Sequence, residues 1–129
     1  MPMTPAVDPE VLEMLASLQE PGEPDLVVEL VSLFLRDTPE RLRALDDRPL
    51  DAAQVTRVAH AVKGSAGNLG ASHLQDLAGQ LEQAGYQGRS PDALATLADD
   101  VQAEYVRVEQ YLRGVLANRD AGDGSAPPA

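Results

Sequence analysis

The chain has 129 residues, a length that suits one domain with a single core. Its 43% hydrophobic content is enough for that core, but aromatics are only 3%, so Leu, Val and Ala must fill it, which favours packed helices over a β-sandwich. A net charge of −11 argues against nucleic acid and anionic membrane surfaces as partners, and the lack of cysteine excludes disulfides, thiolate catalysis and cysteine metal sites. The start Met-Pro-Met-Thr-Pro has no basic region followed by an apolar run. No apolar segment approaches the ~20 residues of a membrane span. A cytoplasmic protein is expected.

Residues 1 to 7 read as a flexible N-terminus. Asp8-Pro9-Glu10 is a helix start, with Asp at the cap and Pro at the first helical position. Val11, Met14, Leu15 and Leu18 form its apolar stripe, and Pro21-Gly22-Glu23-Pro24 ends it. A second helix begins near Asp25, with Leu26, Leu30, Leu33 and Phe34 on its buried face. Pro39 should break or kink it. Leu35, Thr38, Leu42 and Leu45 nevertheless keep helical spacing, so the expectation is one kinked helix to about Asp47.

A third helix spans about Ala52 to Leu69. Val55, Val58, Ala59, Val62, Ala66 and Leu69 fall within an arc of roughly 100° and form a buried stripe. Thr56, Arg57, His60, Lys63, Gly64 and Gly67 fall opposite, within roughly 60° of His60. His60 is therefore predicted to face solvent. Gly70 can form the left-handed cap of this helix. Gly64 and Gly67 have no such reason, and each interior Gly costs about 1 kcal/mol against Ala. On the His60 face they would clear room for another macromolecule. Lys63, the only lysine among ten basic residues, sits one turn along, within reach of any group on His60.

The fourth helix follows Gly70, with Ser72 and Gln75 in a capping-box pattern and Leu74, Leu77, Ala78 and Leu81 as its core stripe. Gly85-Tyr86-Gln87-Gly88 closes it. His73, in its first turn, reads as a polar helix-start residue without a task. The turn at Gly70-Ala71 is so short that the third and fourth helices must be antiparallel neighbours. Counting about 15 Å outward from that turn puts His60 level with Leu81 or Glu82. Glu82 is off its core stripe and can accept a hydrogen bond from the ring; a solvated glutamate is the alternative. The last helix opens at Ser90-Pro91-Asp92. Leu94, Leu97, Val101, Tyr105, Val108, Leu112 and Val115 make its long seam. A coiled-coil dimer competes for that seam but ranks second, because the other helices also need partners; a monomer is expected. From Asp120 the chain reads as a disordered tail. The expected architecture is all-α: an antiparallel four-helix bundle over 8–119 with a short additional N-terminal helix.

The run His60-Ala61-Val62-Lys63-Gly64-Ser65-Ala66-Gly67-Asn68-Leu69-Gly70-Ala71 resembles the signature of histidine-containing phosphotransfer (HPt) domains: His, any two residues, Lys-Gly, then Ser or another small residue. Leu81-Glu82 and the upstream Leu33 to Leu42 are also similar to the family, and the resemblance covers nearly the whole chain apart from its ends. It implies that His60 accepts a phosphoryl group from a receiver-domain aspartate and passes it to another. It implies receiver domains of response regulators and of a sensor or hybrid histidine kinase as partners, with Mg²⁺ held by the receiver. A residue in the place of Glu82 often helps to orient the histidine in that family.

The residues suit this chemistry. Imidazole has a pKa near 6.5, so much of it is neutral and nucleophilic at cell pH. Lys63 would offset charge on the phosphoryl oxygens. Gly64 and Gly67, with Arg57 and Thr56 alongside, would form the docking surface. The glycines lack the Walker order of Gly, four residues, Gly-Lys-Ser/Thr, so no ATP site and no autonomous kinase activity are expected. No clustered metal ligands are visible, and no cofactor of its own is expected. The alternative function is a helical adaptor that docks a receiver and transfers nothing. An acid–base or metal enzyme built on His60 is disfavoured, because the two histidines lie far apart without a pocket signature.

Overall fold

Most helices begin where a side-chain oxygen can accept from the first free backbone N–H groups. In the computed structural model, which describes residues 5–120, Asp8 caps α1 (Pro9–Ser17), Asp25 caps α2 (Leu26–Leu42) and Asp51 caps α3 (Ala52–Asn68). Each such cap contributes about 1 kcal/mol. At α5 (Pro91–Asp120) the Ser90 hydroxyl accepts from the Ala93 N–H at 3.2 Å. The exception is α4 (Ser72–Tyr86), which follows Ala71 without a side-chain cap. The expected Ser72–Gln75 capping box does not form: Ser72 is already inside the first turn, and the Gln75 amide reaches toward Gly67.

The end of α3 fixes this junction instead. Gly70 adopts a left-handed φ of 79°. The Ala71 N–H donates to the Ala66 carbonyl at 2.9 Å, and the Gly70 N–H to Gly67 at 3.2 Å. This is the paired closure that lets a helix stop and reverse within a few residues. The Gly70 carbonyl in turn accepts from the Asp8 N–H at 2.9 Å. The flexible start expected for residues 1 to 7 is therefore corrected in part. Ala6 and Val7 are buried in the core, and only residues 1–4 of that segment lie outside the described residues. The disordered tail expected from Asp120 is corrected at its first residue, which ends α5; the rest lies outside the described residues.

Two expected faces shift. On α2 the buried residues are Val27, Val31, Phe34, Thr38 and Leu42, while Leu33 is exposed. The apolar residues in the first half of this helix spread over an arc wider than one buried stripe, so periodicity alone does not select a face. On α1 only Leu12 is buried, and Met14 and Leu18 are exposed, since so short a helix meets the bundle along one narrow line. α2 runs through Pro39 as one helix to Leu42, and a 3₁₀ turn over Arg43–Leu45 completes it. The proline sits in the last turn, where few backbone bonds are lost.

α2 to α5 form the all-α bundle expected from the sequence, and α1 packs on α2. The α5 seam is covered by α4 and α2 of the same chain: Leu94, Val101, Tyr105, Val108, Leu112 and Val115 are all buried. Phe34 stacks on Tyr105 with ring centroids 5.9 Å apart.

α3 and α4 approach closely at Gly85. A Cβ there would lie 3.0 Å from the Ala52 carbonyl oxygen and 2.5 Å from the Thr56 hydroxyl. A Cβ at Gly64 would meet nothing within 4 Å. Two alanine substitutions should therefore act with opposite sign. Gly85→Ala gains helix propensity but presses on backbone, and should destabilise by about 1–3 kcal/mol. Gly64→Ala should stabilise by up to about 1 kcal/mol. Urea unfolding of the full chain measures both.

Candidate functional site

His60 lies midway along α3 with its side chain 71% exposed, as the helical wheel predicts. Across the α3–α4 seam stands Glu82, whose side chain is 21% exposed. One carboxylate oxygen of Glu82 is 2.6 Å from His60 Nδ1, and the other accepts from Lys63 Nζ at 2.6 Å. A single carboxylate thus joins both expected functional side chains. The register counted from the Gly70 turn is correct, because a short antiparallel hairpin leaves little freedom in level.

Charge decides the ring's tautomer. The Lys63 hydrogen bond is the main cause holding the Glu82 carboxyl below its ordinary value of 4.5; desolvation opposes it, and the His60 bond adds to the lowering. Glu82 is therefore ionised at neutral pH and can only accept. A neutral His60 must carry its proton on Nδ1. The lone pair is then on Nε2, on the side of the ring away from Glu82.

Lys63 is held differently from the expectation. It leans across the seam toward α4, and its stem passes over Gly79, where a Cβ would lie 3.5 Å from the Lys63 Cδ. Its ammonium is occupied by Glu82 in the free chain. Gly64 is exposed and faces open space beside the ring, as expected. Arg57 is exposed, one turn before His60.

Two expected docking residues also take part in the α3–α4 seam. A Cβ at Gly67 would lie 2.6 Å from the Gln75 amide nitrogen, so the room left by this glycine is filled from α4. Thr56 is half-buried; its hydroxyl donates to the Ala52 carbonyl at 2.7 Å and packs over Gly85. Both are half-buried at the helix seam. Sequence reasoning missed Gly79 and Gly85. The signal was present: both are helical glycines on the element that must lie against α3.

A cleft of about 890 Å³ runs along α4 from Lys63 past Gly79 and Gln83, and His73 lines it; His60 does not. The imidazole stands on raised surface, where a macromolecule can reach it. Among the described residues no group of three or more His, Asp or Glu side chains is placed to hold a metal ion, and no helix is long and apolar enough to cross a membrane.

The profile of a family described as Hpt domain matches residues 29–116. Histidine-containing phosphotransfer protein 2 of Arabidopsis thaliana is 29% identical over 107 residues, which cover 79% of this chain and 68% of that protein. The crystal structure of a histidine-containing phosphotransfer protein from maize superposes with a TM-score of 0.78 at 25% identity, covering 92% of this chain and 88% of the maize chain. A putative histidine-containing phosphotransfer protein from rice shares the fold, with a TM-score of 0.76 at 23% identity over 92% of this chain and 87% of its own.

The lowered Glu82 pKa predicts a pH dependence. A carboxyl whose folded pKa lies below its unfolded value contributes stability above the unfolded value, and loses it as pH falls through the folded one. Wild type should exceed Glu82→Gln by up to about 1 kcal/mol at pH 7, with the pair partly screened by solvent. The gap should close as the pH drops from the ordinary value of 4.5 through the lowered one. Urea midpoints of both proteins between neutral and acid pH test this; a gap independent of pH would contradict it.

Proposed function

The chain belongs to the Hpt domain family, and from that premise we propose that His60 carries its phosphoryl group. Proteins of this family interact with receiver domains in phosphorelays. The observation that carries the assignment is the Glu82 bond to Nδ1, which turns Nε2 outward beside the open surface at Gly64.

The Nε2 lone pair attacks the phosphorus of an aspartyl phosphate on a receiver. The P–N bond forms as the P–O bond to the aspartate breaks, and the aspartate leaves as a carboxylate. The Nδ1 proton stays on the ring, where Glu82 balances the positive charge that develops. A second receiver aspartate reverses the step and frees the imidazole. Lys63 has three donors and can keep Glu82 while turning one N–H to a phosphoryl oxygen. Mg²⁺ is assigned to the receiver's carboxylates. The bare surface at Gly64 lets the receiver close over the ring and exclude water.

On this reading the chain is a carrier without kinase activity of its own. Gly64 and Gly67 lie inside α3, not in a strand-to-helix loop, which supports the lack of a phosphate-cradling site. Its partners are the receiver of a sensor or hybrid kinase and that of a response regulator, and the carrier acts as a cytoplasmic monomer.

Incubation with a phosphorylated receiver tests the assignment. Label should appear on the wild-type chain and be absent from His60→Gln. Gly64→Gln should fold normally yet accept label about 100-fold more slowly, because approach is blocked. Label on His60→Gln would refute the role of His60. A wild-type chain that binds the receiver but never takes label would be a docking adaptor instead.

A further inference from the structure

The surface around His60 and Glu82 is lopsided. Toward the Gly70 turn α3 is bare at Gly64, while Gly79 on α4 is covered by the stem of Lys63. In the other direction, about one turn along each helix, stand two large exposed side chains, Arg57 on α3 and Tyr86 on α4. Tyr86 follows Glu82 by four residues, so it stands one turn further along the same face, about 6 Å away along the axis. Its close neighbour Gly85 draws α4 against the first turns of α3, which fixes where Tyr86 projects.

Tyr86 is 81% exposed. The chain has three tyrosines and one phenylalanine. Phe34 and Tyr105 are buried and Tyr111 is half-buried, so Tyr86 is the one aromatic side chain given to solvent. No hydrogen bond or ring contact holds it among the described residues. A tyrosine loses little conformational freedom when covered and can bury roughly 150–250 Å² of surface. Tyrosine and arginine are the residue types that most often dominate binding energy at interfaces.

We infer that Tyr86 is the anchor that sets receiver affinity and orientation, with Arg57 as its charged counterpart across His60. This rests on the carrier reading above. Any partner that covers Nε2 finds clearance on the glycine side and two large side chains on the other. It can therefore seat in one rotational orientation only. The matching receiver surface is an apolar notch with a hydrogen-bond acceptor for the phenol, beside an acidic rim facing Arg57. Tyr86 touches no reacting atom, so it acts in docking and not in the chemical step.

The test uses the full chain and the receiver of the source organism that labels His60 fastest. Transfer rates are measured against receiver concentration. Tyr86→Ala should raise the half-saturating concentration about tenfold and leave the limiting rate within about twofold. Tyr86→Phe should recover most of the loss, because the ring supplies most of the area. An unchanged half-saturation in Tyr86→Ala, or a fall confined to the limiting rate, would overturn the inference while wild-type labelling still upheld the carrier reading. If no receiver labels wild type, the carrier reading fails and the anchor with it.

Discussion

One carboxylate ties the site together. Glu82 accepts from His60 and Lys63 at the same distance, through different oxygens, from the opposite helix. Neither donor could be held so from its own helix, because α3 carries no Asp or Glu. The bond therefore demands that α3 and α4 run antiparallel, close together and in one register. The left-handed Gly70 supplies the reversal. Gly85 permits the close approach, and Gly79 leaves a seat for the lysine stem.

The same carboxylate organises charge. Over the whole chain acidic groups prevail by eleven. Within the site the Glu82 carboxylate is balanced by the Lys63 ammonium. Most guanidinium groups elsewhere are committed to carboxylates, as in Arg36–Asp37, Arg43–Glu40, Arg48–Asp99 and Arg119–Asp25. The His60 face is thus close to neutral on a molecule of strongly negative net charge.

Much of this was legible in the residues themselves. The outward His60 followed from helical period, and its level with Glu82 followed from the shortness of the Gly70 turn. The pairing of Lys63 with Glu82 was not foreseen, because a helical wheel gives a direction from one axis and says nothing of what stands across the seam. The same limit hid the seam contacts of Gly67 and Thr56. They lie within a few tens of degrees of His60 on the wheel, yet α4 leaves them half-buried and Gly64 bare. On α2 the signal itself was broad: Leu26, Val27, Leu30, Val31, Leu33 and Phe34 spread over an arc of about 160°, wider than one buried stripe, so tertiary packing chose the face. Ala6 and Val7 are too few to show any period, although they are buried.

The glycines of the hairpin divide by what a side chain would meet. At Gly85 it would meet backbone, and at Gly67 the end of a glutamine; these positions serve the fit of two helices. At Gly64 it would meet nothing. A residue that forgoes about 1 kcal/mol of helix propensity without gaining any packing contributes nothing to the fold. Its value has to lie outside the chain, in what can come close to the neighbouring imidazole. Phosphoryl transfer needs that closeness, since the attacking nitrogen and the phosphorus must reach near-contact with water shut out. On the proposed function, stability and reactivity make opposite demands on one position of α3, and Gly64 serves reactivity.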